Sequence, residues 1–145
     1  MSTDELAPAS RNQERVVTEF RANAGKVGGY NEGMPLLLLT TRGARTGQRR
    51  ATPLTYLPDS GRYVVAAAAG GASGHPAWYH NAAASPEVTV EVGEEIFDAT
   101  VTVAAGAERD SLYQRCVAAY PQLSHYQSLT TREVPIVVIA RRAAS

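Results

Sequence analysis

Four arginines and two glycines crowd the stretch TTRGARTGQRR (residues 40–50), directly after the apolar run Leu36 to Leu39. A plain turn needs one glycine and one polar residue, so this density of cations points to an anionic ligand. Glycine lets the backbone approach a ligand closely and turn its N–H groups inward. Arginine supplies planar, paired donors that match phosphate or carboxylate oxygens. A solvated basic hairpin tip is the competing reading, since charged side chains ordinarily face water. The spacing matches neither a Walker loop nor GxGxxG, so neither nucleotide fingerprint applies.

A second stretch, AGGASGHPAWYHN (residues 69–81), places three glycines before a proline-started helix that carries Trp78. Free N–H groups at a helix start favour anions, and an indole offers a wall to a planar ring. The alternative is a core tryptophan beside an ordinary loop, and His80 reads as a structural histidine. Tyr113, Tyr120 and Tyr126 form a third group, and YPQLSHYQ has the polar interruptions of an aromatic flap. A tyrosine hydroxyl can give a hydrogen bond or a proton to a substrate, although aromatics at this spacing also simply pack. Cys116 shares a helix face with Leu112 and reads as a buried, inert thiol. There is no Ser/His/Asp order, no paired carboxylates in an apolar setting and no metal cluster. An enzyme built this way would hold a cofactor that carries the chemistry.

The elements that must position these groups fit one domain. The chain has 145 residues, 44% hydrophobic and 19% charged, with formal net charge zero. A nucleic-acid binder normally shows a large basic surplus, so a nucleic-acid partner is not expected. One cysteine excludes an intrachain disulfide, and three scattered histidines argue against a histidine metal centre. The N-terminal residues lack the pattern of a signal peptide, and no stretch has the length of a membrane-spanning helix. The expectation is a cytoplasmic protein, with peripheral membrane association left open.

Residues 1–9 read as a disordered tail. Ser10 and Gln13 fit a capping box, and Val16, Val17, Phe20, Ala24 and Val27 recur at helical spacing, so a helix is expected over 10–29. Residues 34–141 form the main domain. Strands are expected over Leu36–Thr41, Ala51–Leu57, Arg62–Ala68, Pro86–Val92, a segment with Phe97, Ala99, Val101 and Val103 on one face, and Ile136–Ile139. Val88, Val90 and Val92 point inward; Thr89 and Glu91 point outward. Helices are expected between the third and fourth strands and over 107–119, with a short helix or loop at QLSHYQSLT. The fold class is mainly β with flanking helices (α+β), a six-stranded and mostly antiparallel split β-barrel.

Three separated segments carry a resemblance: LLLLTTRGARTGQRRATPLTYL, RYVVAAAAGGASGHPAWYHNAAASPEVTVEVG and YPQLSHYQSLTTREVPIVVI. In this order, over residues 34–141, they resemble the deazaflavin-dependent nitroreductase family, split β-barrel proteins that bind coenzyme F-420. The resemblance implies that GARTGQRR holds the coenzyme's phosphate and glutamate-bearing tail, with Arg45, Thr46, Gly47 and Arg50 making those contacts. It implies that Pro53, Leu54, Ala66, Ala68, Ala77, Trp78 and Asn81 line the deazaflavin ring. It also places Tyr120 and Tyr126 on the substrate side, as candidate catalytic residues.

The pattern also departs from the family. Many relatives carry a Ser-Lys pair before the Gly-Gly, where this chain has Ala68 and Ala69. Thr55 replaces an aromatic residue of the nitroreductase branch, and Leu123 replaces a tyrosine. Reduction of nitroimidazole drugs is therefore not carried over. The expected activity is hydride transfer from reduced F-420 to an electron-poor small molecule: an activated C=C, a quinone or a nitro compound. FMN is the less favoured cofactor. The alternative is a non-catalytic deazaflavin binder or carrier, and the oligomeric state is expected to be monomer or homodimer.

Overall fold

The computed structural model describes residues 7–29 and 32–142. Seven strands pair antiparallel in one sheet: β1 (Leu36–Arg42), β2 (Arg49–Thr55), β3 (Leu57–Asp59), β4 (Arg62–Ala66), β5 (Glu87–Val92), β6 (Glu95–Val103) and β7 (Ile136–Arg141). Their order is β2-β1-β5-β6-β7-β4-β3. The two edge strands, β2 and β3, are neighbours in the chain with only Tyr56 between them. One residue can join the two edges of a sheet only if the sheet curls upon itself, so the connectivity itself requires a barrel. Pro53 lies in β2, an edge strand, where its missing N–H costs no ladder bond.

Among the described residues four α-helices flank the sheet: α1 (Ala7–Ala22), α2 (Ala77–Ala84), α3 (Gly106–Ala119) and α4 (Gln122–Ser128). The inner faces of the strands make the main core, which includes Leu37, Leu39, Val65, Val90, Ala99, Val137 and Ile139. Trp78 and Ala82 of α2 join that core and plug one side of it. The alternate residues of β4 and β7, including Val64, Ile136 and Val138, face outward under Leu112 and Cys116 of α3 and Leu123 of α4. On β1 the outward residues Leu36 and Leu38 meet Val16 and Phe20 of α1. A run such as LLLL is therefore apolar throughout because both of its faces are covered.

Several expectations change. The expected second strand breaks at Tyr56, which gives seven strands rather than six, and Arg49 and Arg50 belong to its start. Strand β4 ends at Ala66, because the chain then turns into a 3-10 turn at Ala69–Gly71. Helix α1 begins at Ala7, three residues inside the expected tail, and ends at Ala22 rather than 29. The rest of that tail, residues 1–6, lies outside the described residues. Val27 is still buried, beyond the helix, against Phe20 and Leu36. Val103 is 45% exposed although Phe97, Ala99 and Val101 are buried as expected, because it lies at the end of its strand. Glu91 points outward and is nonetheless buried, since Arg21 of α1 grips it with two bonds of 3.1 and 2.8 Å. The PDSG turn is a two-residue hairpin with Ser60 and Gly61 both at positive φ (51° and 85°), matching a type I′ geometry.

Candidate active site

The arginine loop is the β1–β2 hairpin connection, and its backbone is tied by its own groups. Gly43 N–H donates to Gln48 O (2.7 Å), Gly47 N–H to Gly43 O (2.9 Å) and Gln48 N–H to Thr46 Oγ1 (3.2 Å). Thr46 oxygen is thus occupied as an acceptor, and its hydroxyl proton is left to donate. From α2, Asn81 Oδ1 accepts the Ala44 N–H at 3.0 Å. Asn81, expected at the deazaflavin ring, is therefore a tether of the arginine loop.

Arg42, Arg45, Arg49 and Arg50 are exposed. Among the described residues none of the four forms an ion pair, whereas Arg21, Arg62, Arg109, Arg115, Arg141 and Arg142 all do. Arg42 and Arg49 also face each other directly across the β1–β2 ladder. Like charges opposite one another destabilise a strand pair unless something neutralises them. The loop thus concentrates positive charge that no ion pair among the described residues neutralises.

A second feature is a largely apolar cavity of about 450 Å³ between the outer face of β4 and helices α3 and α4. Ala66, Ala68, Tyr120 and Tyr126 line it, with Thr55, Cys116 and Leu123. The structure therefore gathers two expected ring-lining residues with both expected catalytic tyrosines, while Arg45, Thr46, Gly47 and Arg50 stand apart. Strand β2 joins the two regions. Its outward residues are Arg49, Ala51, Pro53 and Thr55, and at about 3.3 Å per residue this row runs about 20 Å from the loop to the cavity.

Two residues expected at the ring pack into the barrel core. Trp78 is only 7% exposed and packs in the barrel core, edge-on to Tyr79 (82°, centroids 6.3 Å apart). Leu54 faces inward and packs against the same core, because it alternates with Pro53 along β2. Ala77 is exposed at the first turn of α2.

The tyrosines differ from each other. Tyr120 Oη donates to the Tyr56 carbonyl at 2.7 Å, so it locks the α3–α4 corner onto the residue that joins the sheet edges. Burial pushes its phenol above the ordinary tyrosine value, with Cys116 and Tyr56 adding to the shift. Tyr126 Oη stands 3.4 Å from Gln122 Oε1, a long contact. Burial likewise raises the Cys116 thiol, which keeps it protonated and unreactive beside the cavity. His80 is exposed on α2, and His75 is the histidine with a charged neighbour, Arg132 Nη1 at 2.9 Å from its Nδ1.

Sequence reasoning missed Arg132 and the role of Asn81. Both act on backbone groups far away along the chain, and no side-chain pattern encodes such partners.

Similarity to known proteins now bears on this geometry. The family model described as F420H(2)-dependent quinone reductase matches residues 11–141. The chain belongs to this family. An F420H(2)-dependent quinone reductase of Mycobacterium tuberculosis is 38% identical over 129 residues, which cover 85% of each chain. The solved structure of an F420-H2 dependent reductase is 37% identical, with a TM-score of 0.66 over 72% of this chain and 93% of that one. A protein solved as a domain-swapped dimer is 32% identical, with a TM-score of 0.69 over 91% and 98%. The family is one of oxidoreductases with a split-barrel fold, and this protein is a member by sequence and by architecture.

Proposed function

We propose that this protein reduces quinone-like acceptors with coenzyme F-420 as the hydride source. The observation that carries the reading is the pairing of an arginine loop that makes no ion pair among the described residues with an apolar cavity, joined by the outward face of β2. The donor set suits the group: guanidiniums for a long anionic tail, and alanine and tyrosine walls for a planar ring. Arg45, Thr46, Gly47 and Arg50 would hold the tail, and Pro53, Ala66 and Ala68 would lie along the ring. When bound, the reduced deazaflavin supplies two electrons as hydride.

The protein's own residues have three tasks. The loop arginines bind and orient through charge-assisted hydrogen bonds. The apolar walls exclude water from the cavity, which strengthens every polar contact within it. A quinone that receives a hydride needs one further proton to become the hydroquinone. Both tyrosines line the cavity and both donate a hydrogen bond; Tyr126 is the source of that proton in this reading, because its bond to Gln122 Oε1 is the longer, 3.4 Å against 2.7 Å from Tyr120 to the Tyr56 carbonyl. Activated alkenes and nitro compounds, which need the same electron pair, are secondary acceptors in this reading.

The test is coenzyme oxidation followed by absorbance, with menadione, an activated enone and a nitroaromatic as acceptors, beside titrations with F-420 and FMN. Turnover with menadione and F-420 tighter than FMN are expected, since FMN ends at its first phosphate and reaches less of the arginine loop. Binding without turnover on any acceptor would replace the reductase with a coenzyme carrier, the reading that the Ala68–Ala69 pair favours. Equal affinity for FMN would overturn the cofactor assignment. Among the described residues no helix is long and apolar enough to cross a membrane.

A further inference from the structure

We infer that Arg132, in the connection between α4 and β7, is a positioning residue that sets the wall of the reaction cavity. Its Nη2 donates to Ala68 O (2.8 Å), its Nη1 to Ala67 O (3.2 Å) and its Nε to Ala72 O (3.0 Å). Nη1 also meets His75 Nδ1 at 2.9 Å, so that imidazole is neutral on this nitrogen and accepts. One guanidinium thus gathers the carbonyls on both sides of the Gly-Gly turn. Ala68, whose carbonyl makes the shortest of these bonds, is itself a wall of the cavity.

The turn needs such a clamp. Ala69 sits at φ 49°, Gly70 at 62° and Gly71 at 87°, and a left-handed alanine costs about 1 to 2 kcal/mol. Any side chain at Gly71 would meet Leu129 Cδ1 at 2.9 Å and the Tyr126 carbonyl at 3.0 Å. The turn is therefore pressed against the end of α4, the helix that carries Tyr126.

Arg132 is fixed from that same helix. Gln127 Nε2 donates to Arg132 O (2.7 Å), and Gln127 Oε1 accepts the Val134 N–H (2.9 Å). A continuous set of bonds therefore links α4, Arg132 and the Ala67–Ala72 backbone, and so holds the tyrosine side and the alanine side of the cavity at one spacing. Lysine can replace it only in part, because a single ammonium cannot span all the acceptors from Ala67 to His75. The inference rests on the proposed reductase reading for its kinetic arm, and its exchange arm stands without it.

The experiment compares wild type, Arg132→Gln and Arg132→Lys. Amide exchange by NMR on the coenzyme-free protein should show Ala67, Gly71 and Ala72, whose N–H groups donate to the Pro135, Ala68 and Ala69 carbonyls, exchanging at least roughly tenfold faster in Arg132→Gln, with Leu39 and Val137 unchanged. With menadione, kcat should fall roughly tenfold, as expected of a reacting pair moved by a fraction of an ångström, while the F-420 dissociation constant moves less than about threefold. Arg132→Lys should restore part of kcat and part of the protection. Wild-type kcat and exchange in Arg132→Gln would overturn the inference. So would a uniform rise in exchange across the sheet with kcat and affinity lost together, which marks a residue that merely supports the fold. Should Arg132→Gln fail to fold, Arg132→Lys decides alone, and full wild-type kcat in it overturns the inference. A wild type that binds no F-420 sinks the reductase reading and leaves the exchange result to judge the clamp.

Discussion

Asn81 Oδ1 accepts the backbone N–H of Ala44 at 3.0 Å and so fastens α2 to the arginine loop. The loop's cationic groups are exposed and, among the described residues, its other tip hydrogen bonds run within the loop, so this bond limits how far the loop can swing. Asn81→Ala should weaken F-420 binding by about 1 kcal/mol, the usual worth of a neutral hydrogen bond, with little change in Tm. Unchanged affinity by fluorescence titration would show that the loop orders itself without the tether.

Arg50→Ala should weaken coenzyme binding by about 1.5 to 3 kcal/mol, the range for a hydrogen bond to a charged group. Arg42→Ala should matter less for binding. It also removes one of two like charges that face each other across β1 and β2, so a small rise in Tm is the expected companion effect. Binding should weaken with added salt, since these groups are exposed. A salt-independent affinity would move the anionic contacts away from this loop.

The strands were legible because their periodicity is set by burial on one or two faces. LLLL is a strand covered on both sides, and Val88 and Val90 alternate with residues that point outward. The break at Tyr56 was not legible, since it follows from the need to close the barrel and no local residue type announces it. The cavity walls Ala66 and Ala68 came from family resemblance alone, whereas Tyr120 and Tyr126 also stood out by their own spacing, and the structure gathers all four. Trp78 went to the core because α2 must plug the barrel, and a large apolar ring contributes more there than on a surface wall. Asn81 and Arg132 act on carbonyl and amide groups, which every residue carries, so their partners could not be read from side-chain identity.

Tyr120 and Tyr126 should separate cleanly on replacement by phenylalanine. Tyr120→Phe leaves the Tyr56 carbonyl without its donor and should cost about 1 kcal/mol of stability, with kcat little changed. Tyr126→Phe should lower kcat by about 10²-fold, the low end for a lost general acid, with stability nearly intact. The reverse ranking would return the proton-donor role to Tyr120. Burial raises Tyr120 and Tyr56 in the folded state, which favours their neutral forms. Their contribution is therefore fully present below the unfolded value of about 10 and is lost as the pH rises through the folded values, so Tm should fall in that alkaline window.

Asp59 ties the short edge strand β3 to α3, through Arg115 Nη1 at 2.7 Å, and it also pairs with Arg62. Arg115 first, then Arg62, hold its carboxyl below the ordinary aspartate value. A lowered carboxylate stabilises the fold above the unfolded value of about 4 and loses that contribution as the pH falls through the folded value. Asp59→Asn should cost about 1 kcal/mol near neutral pH, a modest figure because both arginines are partly solvated. The difference in Tm between variant and wild type should shrink on acidification; a difference that stayed constant down to pH 3 would show that charge is not its cause.

Ala68 and Ala69 mark where this chain departs from the resemblance, and the structure makes their replacement a sharp test. Ala69 is exposed at φ 49°, so a lysine there adds a cation to solvent without new crowding. The left-handed backbone strain is already present with alanine, and the exchange should leave it nearly unchanged. Ala69→Lys should therefore tighten F-420 binding by about 1 to 3 kcal/mol if an anionic oxygen comes within reach, with kcat little altered. Uniform binding of ground and transition states does not speed the chemical step. Ala68 is buried in the cavity wall, so Ala68→Ser places a hydroxyl among apolar groups, where it finds a partner on the bound molecules or costs about 1 to 3 kcal/mol of stability. Activity in the wild type with only these modest gains upholds the reductase reading. A wild type inert on all acceptors, with activity created by the double replacement, would identify a coenzyme binder that has lost its chemistry while the cofactor stays the same.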